Sequence, residues 1–404
     1  MLTRTDRKAP KVALFIRSLA GSGAERVVVN LANGLAGQGY RVQLVLGEAA
    51  GPFLDLVSPG IEIFDLAVRR RAAVFDFVRA PRRFLELRAT ARASRAGRIM
   101  LGVPRLARYI DAEQPDVLIS ALDHGNVAAV IAAKLSGHKP DVVVTQHCNL
   151  TSDVITSRKK PGEIYALVKR YYPEAAAIVG VSEGVSADLK AHIPSAGERI
   201  STIYNPVVDE DLAERAREKS DHPWFATPSG EPLIVTVGKL KKQKDHATLF
   251  RALARLRQDV PAKLVIFGEG PERAALEQLA GQLGIADAVS LPGFTANPFA
   301  AMARADLFVL SSTYEGLPTV LIEALACGCP VVSTDCPSGP EEILEGGRYG
   351  SLVPVADEEA LAEAMHTVLQ NSPCREVLKA RGHLFTTKRA VDCYGQLVER
   401  LGVV

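Results

Sequence analysis

Short apolar runs alternate with longer amphipathic stretches along almost the whole chain, and this alternation limits the possible folds more than any other feature. The runs have the length and composition of buried β-strands: 12–16, 42–46, 61–66, 117–120, 142–145, 177–181, 233–237, 264–267, 307–311 and 331–333. Strands that alternate with helices form parallel sheets with helices packed on both faces. The pattern therefore predicts an α/β fold with doubly wound sheets.

The length of the chain indicates two domains. Its 404 residues are 47% hydrophobic, which is enough for two separate cores. The first series of strands ends before Asn205 and Pro206, and a polar stretch with proline and glycine follows. We predict an N-terminal domain at 1–208, a linker at 209–230, a C-terminal domain at 231–385, and a C-terminal helix at 386–404 that packs back on the N-terminal domain.

Two glutamates eight positions apart, Glu315 and Glu323, lie on either side of the turn 316–318. The turn follows the predicted strand 307–311. Its glycine permits a tight bend, and its proline suits the first position of a helix that Gly328 ends. The spacing thus predicts Glu315 in a loop and Glu323 on the helix.

This arrangement favours a sugar-nucleotide site. The unpaired N–H groups at a helix start attract a phosphate, and carboxylates accept hydrogen bonds from vicinal hydroxyls. A ligand with a sugar, a diphosphate and a ribose would place Glu315 on the sugar and Glu323 on the ribose. The alternative is an ordinary helix N-terminus with a nearby acid and a second, solvated glutamate.

A lysine-rich loop follows the predicted strand 233–237. It begins at Gly238 and places Lys239 and Lys244 within reach of a diphosphate. Two ammonium groups can stabilise the charge that develops on a leaving nucleoside diphosphate, where other enzymes use a metal ion. A solvated cationic loop would show the same composition.

Loops with polar residues also follow strands of the first half. Gly21 and Gly23 come after the strand 12–16 and allow backbone N–H groups to approach a ligand, although such a pair also makes ordinary strand-to-helix turns. His124 and His147 follow two later strands. Because both are expected at one edge of the sheet, each is a candidate to orient the acceptor or the donor sugar.

Between Arg69 and Arg108 the chain carries twelve arginines, with Asp76 and Glu86 as the only acids. Apolar residues interrupt this segment, as expected for helices on an anionic membrane surface or near a lipid diphosphate. A solvated helical face is the alternative. No nucleic-acid-binding motif accompanies the charge, so we expect no nucleic-acid partner.

The cysteines and the hydropathy pattern favour the cytoplasm. Cys327, Cys329 and Cys336 lack a fourth ligand for zinc and are better explained as buried free thiols. No apolar run approaches the roughly 18 residues that span a bilayer. We predict a cytoplasmic protein, peripheral at the inner face of the membrane if the arginine-rich segment binds lipid.

Together these segments resemble the retaining glycosyltransferases of family 4, also called glycosyl transferases group 1. The resemblance covers nearly the whole chain, and its motifs occur in the family's order: 21–26, 181–185, 203–209, 237–240 with 243–244, 268–271, 291–294 and 315–323. It implies the GT-B architecture, in which two Rossmann-like domains face a central cleft. The first domain would bind the acceptor and the second the nucleotide sugar.

The resemblance also implies roles for individual residues. The groups nearest the chemistry would be Lys239, Lys244, Glu315 and His124. The donor would be held by Gly21, Gly23, Gly238, Gly293, Phe294, Gly316, Leu317, Pro318 and Glu323, with Gly293 and Phe294 near the base. His147 would lie on the acceptor side. Lys239 stands where the family often has arginine, which keeps the charge but not the bidentate geometry. No metal or other cofactor is implied.

The implied function is retaining transfer of a hexose or N-acetylhexosamine from a nucleoside diphosphate sugar to a glycan or lipid-linked acceptor of the cell surface. A UDP-sugar is the first expectation for the donor and GDP-mannose the second. The sequence leaves two alternatives open: a sugar-nucleotide 2-epimerase of the same architecture, and a non-catalytic membrane partner subunit that resembles a glycosyltransferase.

Overall fold

The computed structural model describes residues 9–68, 98–152, 162–226 and 230–402. The chain divides into two compact units. The first comprises 1–206 together with 387–404, and the second comprises 207–386. Each unit contains one sheet whose strands all pair in parallel.

The sheet of the first unit has seven strands in the order β3-β2-β1-β4-β5-β6-β7. Its strands are β1 Lys11–Ile16, β2 Arg41–Leu46, β3 Glu62–Asp65, β4 Val117–Ala121, β5 Asp141–Gln146, β6 Ala177–Gly180 and β7 Ile200–Thr202. The helices of this unit are α1 Gly23–Gly37, α2 Arg98–Leu101, α3 Val103–Glu113, α4 Asp123–Leu135, α5 Gly162–Tyr171, α6 Glu183–His192 and, at the end of the chain, α16 Thr387–Leu401.

The sheet of the second unit has six strands in the order β10-β9-β8-β11-β12-β13. Its strands are β8 Leu233–Val237, β9 Lys263–Phe267, β10 Val289–Gly293, β11 Leu307–Leu310, β12 Val331–Thr334 and β13 Ser351–Val353. Its helices are α7 Leu212–Arg217, α8 Pro223–Ala226, α9 His246–Leu256, α10 Arg273–Gln282, α11 Phe299–Met302, α12 Thr319–Ala326, α13 Pro340–Leu344, α14 Glu358–Gln370 and α15 Arg375–Gly382.

In each sheet the strand order reverses at one point. In the first unit this point lies between β1 and β4, and in the second it lies between β8 and β11. The helices that follow the two strands leave the sheet on opposite sides there, which opens a crevice at the carboxyl ends of the strands. A ligand site in the second unit is therefore expected at the loops that follow β8 and β11.

The ten predicted strands are all present, and the α/β fold is confirmed. Three further strands, β7, β10 and β13, escaped prediction. Each forms the outer edge of its sheet, and two of them have only three residues. Edge strands are often short and partly polar, so they lack the continuous apolar run that identifies a buried strand.

The described part of the segment predicted as a linker contains two helices, α7 and α8. In α7 the guanidinium carbon of Arg215 lies 4.3 Å from the centroid of the Phe299 ring, which is in the second unit. Asn297 donates a hydrogen bond to the carbonyl of Arg215 at 2.8 Å. The polar composition of this stretch thus reflects contacts made by charged side chains.

The last helix, α16, packs against α1 in the first unit. A side chain at Gly34 would overlap Val391, since a Cβ there would lie 2.3 Å from its Cγ2. Gln38 donates a hydrogen bond to Asp392 at 2.6 Å. The apolar face of α16, with Tyr394 and Val398, is thereby buried in the core of the N-terminal unit.

Candidate active site

An ion pair lies where the loops after β8 and β11 meet. The ammonium nitrogen of Lys244 is 2.6 Å from Oε1 of Glu315, and the two side chains are only 15% and 10% exposed. Ser312 donates a second hydrogen bond to the same oxygen at 2.7 Å. Because an ion pair with little access to water is stable only when further hydrogen bonds support it, the hydroxyl of Ser312 is part of the arrangement.

The second oxygen of Glu315 is open. Among the residues that the structure describes, Oε2 accepts no hydrogen bond, yet it is not fully buried. A carboxylate oxygen in this situation can accept a hydrogen bond from a ligand hydroxyl. Lys244 and Ser312 thus hold Glu315 by one oxygen and leave the other for a ligand.

Backbone and side-chain hydrogen bonds join the two loops. The N–H of Thr313 donates to the carbonyl of Gln243 at 2.8 Å, and the side-chain amide of Gln243 donates to the carbonyl of Tyr314 at 2.7 Å. Ser311 donates to the carbonyl of Lys244, also at 2.8 Å. These contacts fix the backbone on both sides of the ion pair.

The turn 316–318 leads into α12 nearly as predicted. Pro318 is the residue before the helix, which begins at Thr319, and Gly328 lies just beyond its end with φ +74°. Glu323 lies on α12 and is only 7% exposed. Glu323 is therefore not the solvated glutamate of the alternative interpretation. A buried carboxylate needs hydrogen-bonding or charged partners, whereas a solvated one is stabilised by water.

Glycines bring the neighbouring loops of this sheet edge into close contact. A Cβ at Gly268 would lie 1.9 Å from the carbonyl oxygen of Gly238, and the N–H of Gly268 donates to the carbonyl of Gly293 at 2.8 Å. Gly293 itself has φ +92°. The residue after it, Phe294, is 63% exposed. Lys239 is also exposed in the loop after β8.

In the first unit, Gly21 has φ +94° and Gly23 is the first residue of α1. Between them, Ser22 forms a capping box with Glu25, whose carboxylate accepts a hydrogen bond from the N–H of Ser22 at 2.7 Å. A capping box satisfies N–H groups at a helix start. The capping box therefore accounts for Ser22 and Glu25. The ordinary strand-to-helix turn remains an explanation for Gly21 and Gly23.

His124 and His147 follow β4 and β5, which are neighbours in the sheet. His124 is half-buried in the first turn of α4. His147 lies just after β5, with Nε2 3.1 Å from the hydroxyl oxygen of Thr145. Burial lowers the pKa of His147 to about 4, so its imidazole is neutral at physiological pH.

A buried polar network beneath these histidines was missed. Asn126, on α4, donates to the carbonyl of Thr145 at 2.9 Å and to the hydroxyl of Tyr172 at 2.8 Å. Its own oxygen accepts a hydrogen bond from Ser120 at 2.8 Å. The available signal was the presence of polar residues within otherwise apolar strand and helix sequences.

His246, the first residue of α9, was also missed. It is only 4% exposed, and its ring lies near the backbone of Lys239, although neither ring nitrogen forms a well-aligned hydrogen bond among the residues described. Burial lowers its pKa to about 4, and the nearby charge of Lys244 acts in the same direction. The ring thus lies close to the lysine-rich loop without contributing a charge to it.

His246 should make the stability of the protein depend on pH. In the unfolded state His246 has its ordinary pKa of 6.5 and takes up a proton as the pH falls below that value. In the native state the buried ring does not accept this proton until about pH 4. Stability from this residue is therefore present near neutrality and lost as the pH falls. We expect the free energy of unfolding to be about 2 kcal/mol lower at about pH 4.5 than at about pH 6.5 through His246 alone.

Denaturant titrations of the wild type and of His246→Leu at the two pH values would measure this contribution. The variant should lose that part of the pH dependence. His383 is exposed at the end of α15 and provides a matched control, since His383→Leu should retain it. Equal pH dependence in wild type and His246→Leu would contradict the assignment.

The membrane-surface prediction falls largely outside the described residues, because 69–97 are not among them. Of the arginines described, Arg105 donates to the carbonyls of Leu66 and Ala67 at 2.7 and 2.6 Å, which is a structural role. Within the described ranges, no helix has both the length and the apolar character needed to cross a bilayer.

The three cysteines considered for zinc are buried and form no disulfide. Burial raises the pKa of Cys327 and of Cys336 to about 12. Both thiols are therefore protonated at neutral pH and are poor metal ligands and nucleophiles.

Comparison with known proteins supports the reading of both units. The model of glycosyl transferases group 1 matches residues 218–384, and that of glycosyltransferase family 4 matches residues 21–211. A relative from Campylobacter jejuni is 30% identical over 95% of this chain and 96% of its own length. It is an N-acetylgalactosamine-N,N'-diacetylbacillosaminyl-diphospho-undecaprenol 4-alpha-N-acetylgalactosaminyltransferase. A second protein of that organism, an alpha-1,4-N-acetyl-D-galactosaminyltransferase, is 28% identical over 91% of both chains.

Solved structures show the same fold. Sucrose-phosphate synthase from Thermosynechococcus elongatus superposes with a TM-score of 0.79 at 20% identity, covering 97% of this chain and 99% of that one. HepE from Anabaena, solved with UDP and glucose, gives 0.73 at 20% identity over 98% of this chain and all of its own. With both units matched by family models and a relative matched over nearly its full length, the chain belongs to the retaining GT-B glycosyltransferases of family 4.

Proposed function

We propose that this glycosyltransferase moves an N-acetylhexosamine from a UDP-sugar to a glycan carried on a lipid diphosphate. The observation that carries the proposal is the Lys244–Glu315 pair at the switch point of the second sheet, with the open oxygen of Glu315 beside the start of α12. The two Campylobacter relatives, which act on undecaprenol-linked substrates by name, support the choice of sugar and acceptor.

In this proposal the donor binds at the carboxyl edge of the second sheet. Oε2 of Glu315 and the backbone of 316–318 contact the transferred sugar, and Glu323 contacts the ribose. Lys244 and Lys239 neutralise the charge that develops on the diphosphate as the glycosidic bond to it breaks. The base lies near Gly293 and the exposed ring of Phe294.

The first unit supplies the remaining groups. Gly21 and Gly23 allow backbone N–H groups to approach the donor, His124 lies near the reacting atoms, and His147 contacts the acceptor. Residues 1–205 carry a net charge of +9, against −7 for the remainder. A basic unit suits an acceptor with a diphosphate at an anionic membrane surface, and we propose that the reaction takes place at the inner face of the cell membrane.

A binding screen followed by a transfer assay tests the proposal. UDP-GalNAc, UDP-GlcNAc, UDP-glucose and GDP-mannose are compared by thermal shift, because a ligand at 100 times its Kd adds about 2.7 kcal/mol of stability to the native state. A UDP-N-acetylhexosamine should give the largest shift. It should then be transferred, with retention, to an undecaprenyl-diphosphate oligosaccharide that ends in N-acetylgalactosamine.

Three results would count against the proposal. Stabilisation by GDP-mannose alone would exclude a UDP-sugar donor. Conversion of the donor to its 2-epimer in the absence of an acceptor would indicate the epimerase alternative. Failure of every sugar nucleotide to bind would favour a non-catalytic subunit.

A further inference from the structure

The contacts of Thr145 determine which ring nitrogen of His147 carries the proton. The hydroxyl oxygen of Thr145 is 2.8 Å from the carbonyl oxygen of Ser120 and 3.1 Å from Nε2 of His147. A hydroxyl group has a single proton, and a carbonyl can only accept. The proton of Thr145 therefore lies on the hydrogen bond to Ser120, and Nε2 of His147 must donate to Thr145.

The opposite assignment would be costly. If Thr145 donated to His147, its oxygen would face the carbonyl of Ser120 at 2.8 Å with no proton between two acceptors. Thr145 is only 4% exposed, so water has little access to relieve this contact. An unsatisfied or repulsive polar contact in such a place costs about 1–3 kcal/mol.

The surrounding network keeps Thr145 in this position. Asn126 donates to its backbone carbonyl at 2.9 Å and accepts a hydrogen bond from the hydroxyl of Ser120. Asn126 is completely buried. The ends of β4 and β5 are therefore tied to each other and to α4, which leaves the hydroxyl of Thr145 little freedom to choose another partner.

The other ring nitrogen of His147 is available to a ligand. In the part of the chain that the structure describes, no residue forms a hydrogen bond to Nδ1, and Nδ1 is not among the fully buried polar atoms that lack a partner. With the proton on Nε2, a neutral ring has its lone pair on Nδ1. Neutrality itself follows from burial, which lowers the pKa of His147 to about 4.

We propose that Thr145 is a positioning residue that holds His147 as the Nε2–H tautomer, so that Nδ1 accepts a hydrogen bond from a hydroxyl group of the acceptor glycan. Only the identity of the acceptor rests on the proposed function. His147 then orients the acceptor and does not deprotonate it, because a ring with so low a pKa is a weak base.

Histidine nitrogen NMR on the full-length protein tests the tautomer without any substrate. The signals of His147 are assigned by their disappearance in His147→Gln. At pH 7.5 we expect a protonated Nε2 and an unprotonated Nδ1 in the wild type and in Thr145→Ser, which keeps the hydroxyl. Thr145→Val, which keeps the branched shape of the side chain but removes the acceptor for Nε2–H, should raise the population of the Nδ1–H tautomer. A protonated Nδ1 in the wild type, or an unchanged tautomer ratio in Thr145→Val, would overturn the proposal.

Kinetics test the hydrogen bond to the acceptor, using the undecaprenyl-diphosphate oligosaccharide as the probe. Thr145→Val should raise the KM for this acceptor about tenfold, the effect of losing one hydrogen bond. The KM for the donor should change little, and Thr145→Ser should restore the acceptor KM. An equal effect on both substrates, or no rescue by serine, would show that Thr145 only supports the fold. Absence of any transfer with an intact tautomer would instead refute the proposed function.

Discussion

Replacement of Lys244 by methionine is expected to reduce the rate of glycosyl transfer by about 100-fold or more. Methionine has a similar length but no charge, so the leaving diphosphate loses a fixed cation close to the sugar site. The same change leaves the carboxylate of Glu315, whose side chain is 10% exposed, with Ser312 as its remaining partner. Breaking a buried ion pair in this way costs about 3–5 kcal/mol of stability.

A second variant separates the two effects. In the double variant Lys244→Met with Glu315→Gln the unpaired charge is gone, and the amide still accepts the hydrogen bond from Ser312. Denaturant unfolding should show that much of the lost stability returns, while transfer stays low. Lys242 is exposed in the same turn, and Lys242→Met is the matched control, for which activity and stability should be nearly unchanged. Full transfer by Lys244→Met would remove Lys244 from the reaction.

The sequence was sufficient to predict the strands that lie inside the two sheets. An interior parallel strand is buried on both faces, and so it leaves a continuous apolar run. The edge strand β10 has no such run, because most of its residues are only partly buried. The helices in 209–230 were missed for a related reason: α7 is stabilised by arginine contacts with Phe299 and neighbouring carbonyls, which a polar sequence does not reveal.

The sequence was enough to predict which residues belong to the candidate site, but not which of them contact each other. The glycine and proline of the turn 316–318 were enough to place Glu315 in a loop and Glu323 on a helix. The contact between Lys244 and Glu315 joins positions 71 residues apart. It exists because β8 and β11 are neighbours in the sheet, and strand order is decided by the packing of the whole unit.

The residues that hold the site in place were the hardest to foresee. Ser312 and Thr145 each act through one hydroxyl, whose importance depends on a partner brought close by the fold. A serine or threonine at a strand end has no characteristic spacing that would distinguish this role. The burial of His246 was equally hidden, since a histidine at a helix start is ordinarily polar and exposed.

Replacement of Gly268 by alanine is expected to destabilise the second unit by about 3 kcal/mol or more. The new Cβ would lie 1.9 Å from the carbonyl oxygen of Gly238, which is backbone and cannot turn aside as a side chain could. The loops after β8 and β9 would have to separate. Since the loop after β8 carries Lys244, donor binding should weaken together with stability, as measured by urea unfolding and by thermal shift with UDP-GalNAc.

Gly281→Ala is the matched control, and its expected effect has the opposite sign. Gly281 lies within α10, and a Cβ there would meet no atom within 4 Å. Alanine in an open helical position restricts the unfolded chain and adds about 0.4–1 kcal/mol of stability. The contrast tests the proposed geometry directly, because both variants make the same chemical change. Equal changes in the free energy of unfolding for Gly268→Ala and Gly281→Ala would contradict the proposed role of the close contact between Gly268 and Gly238.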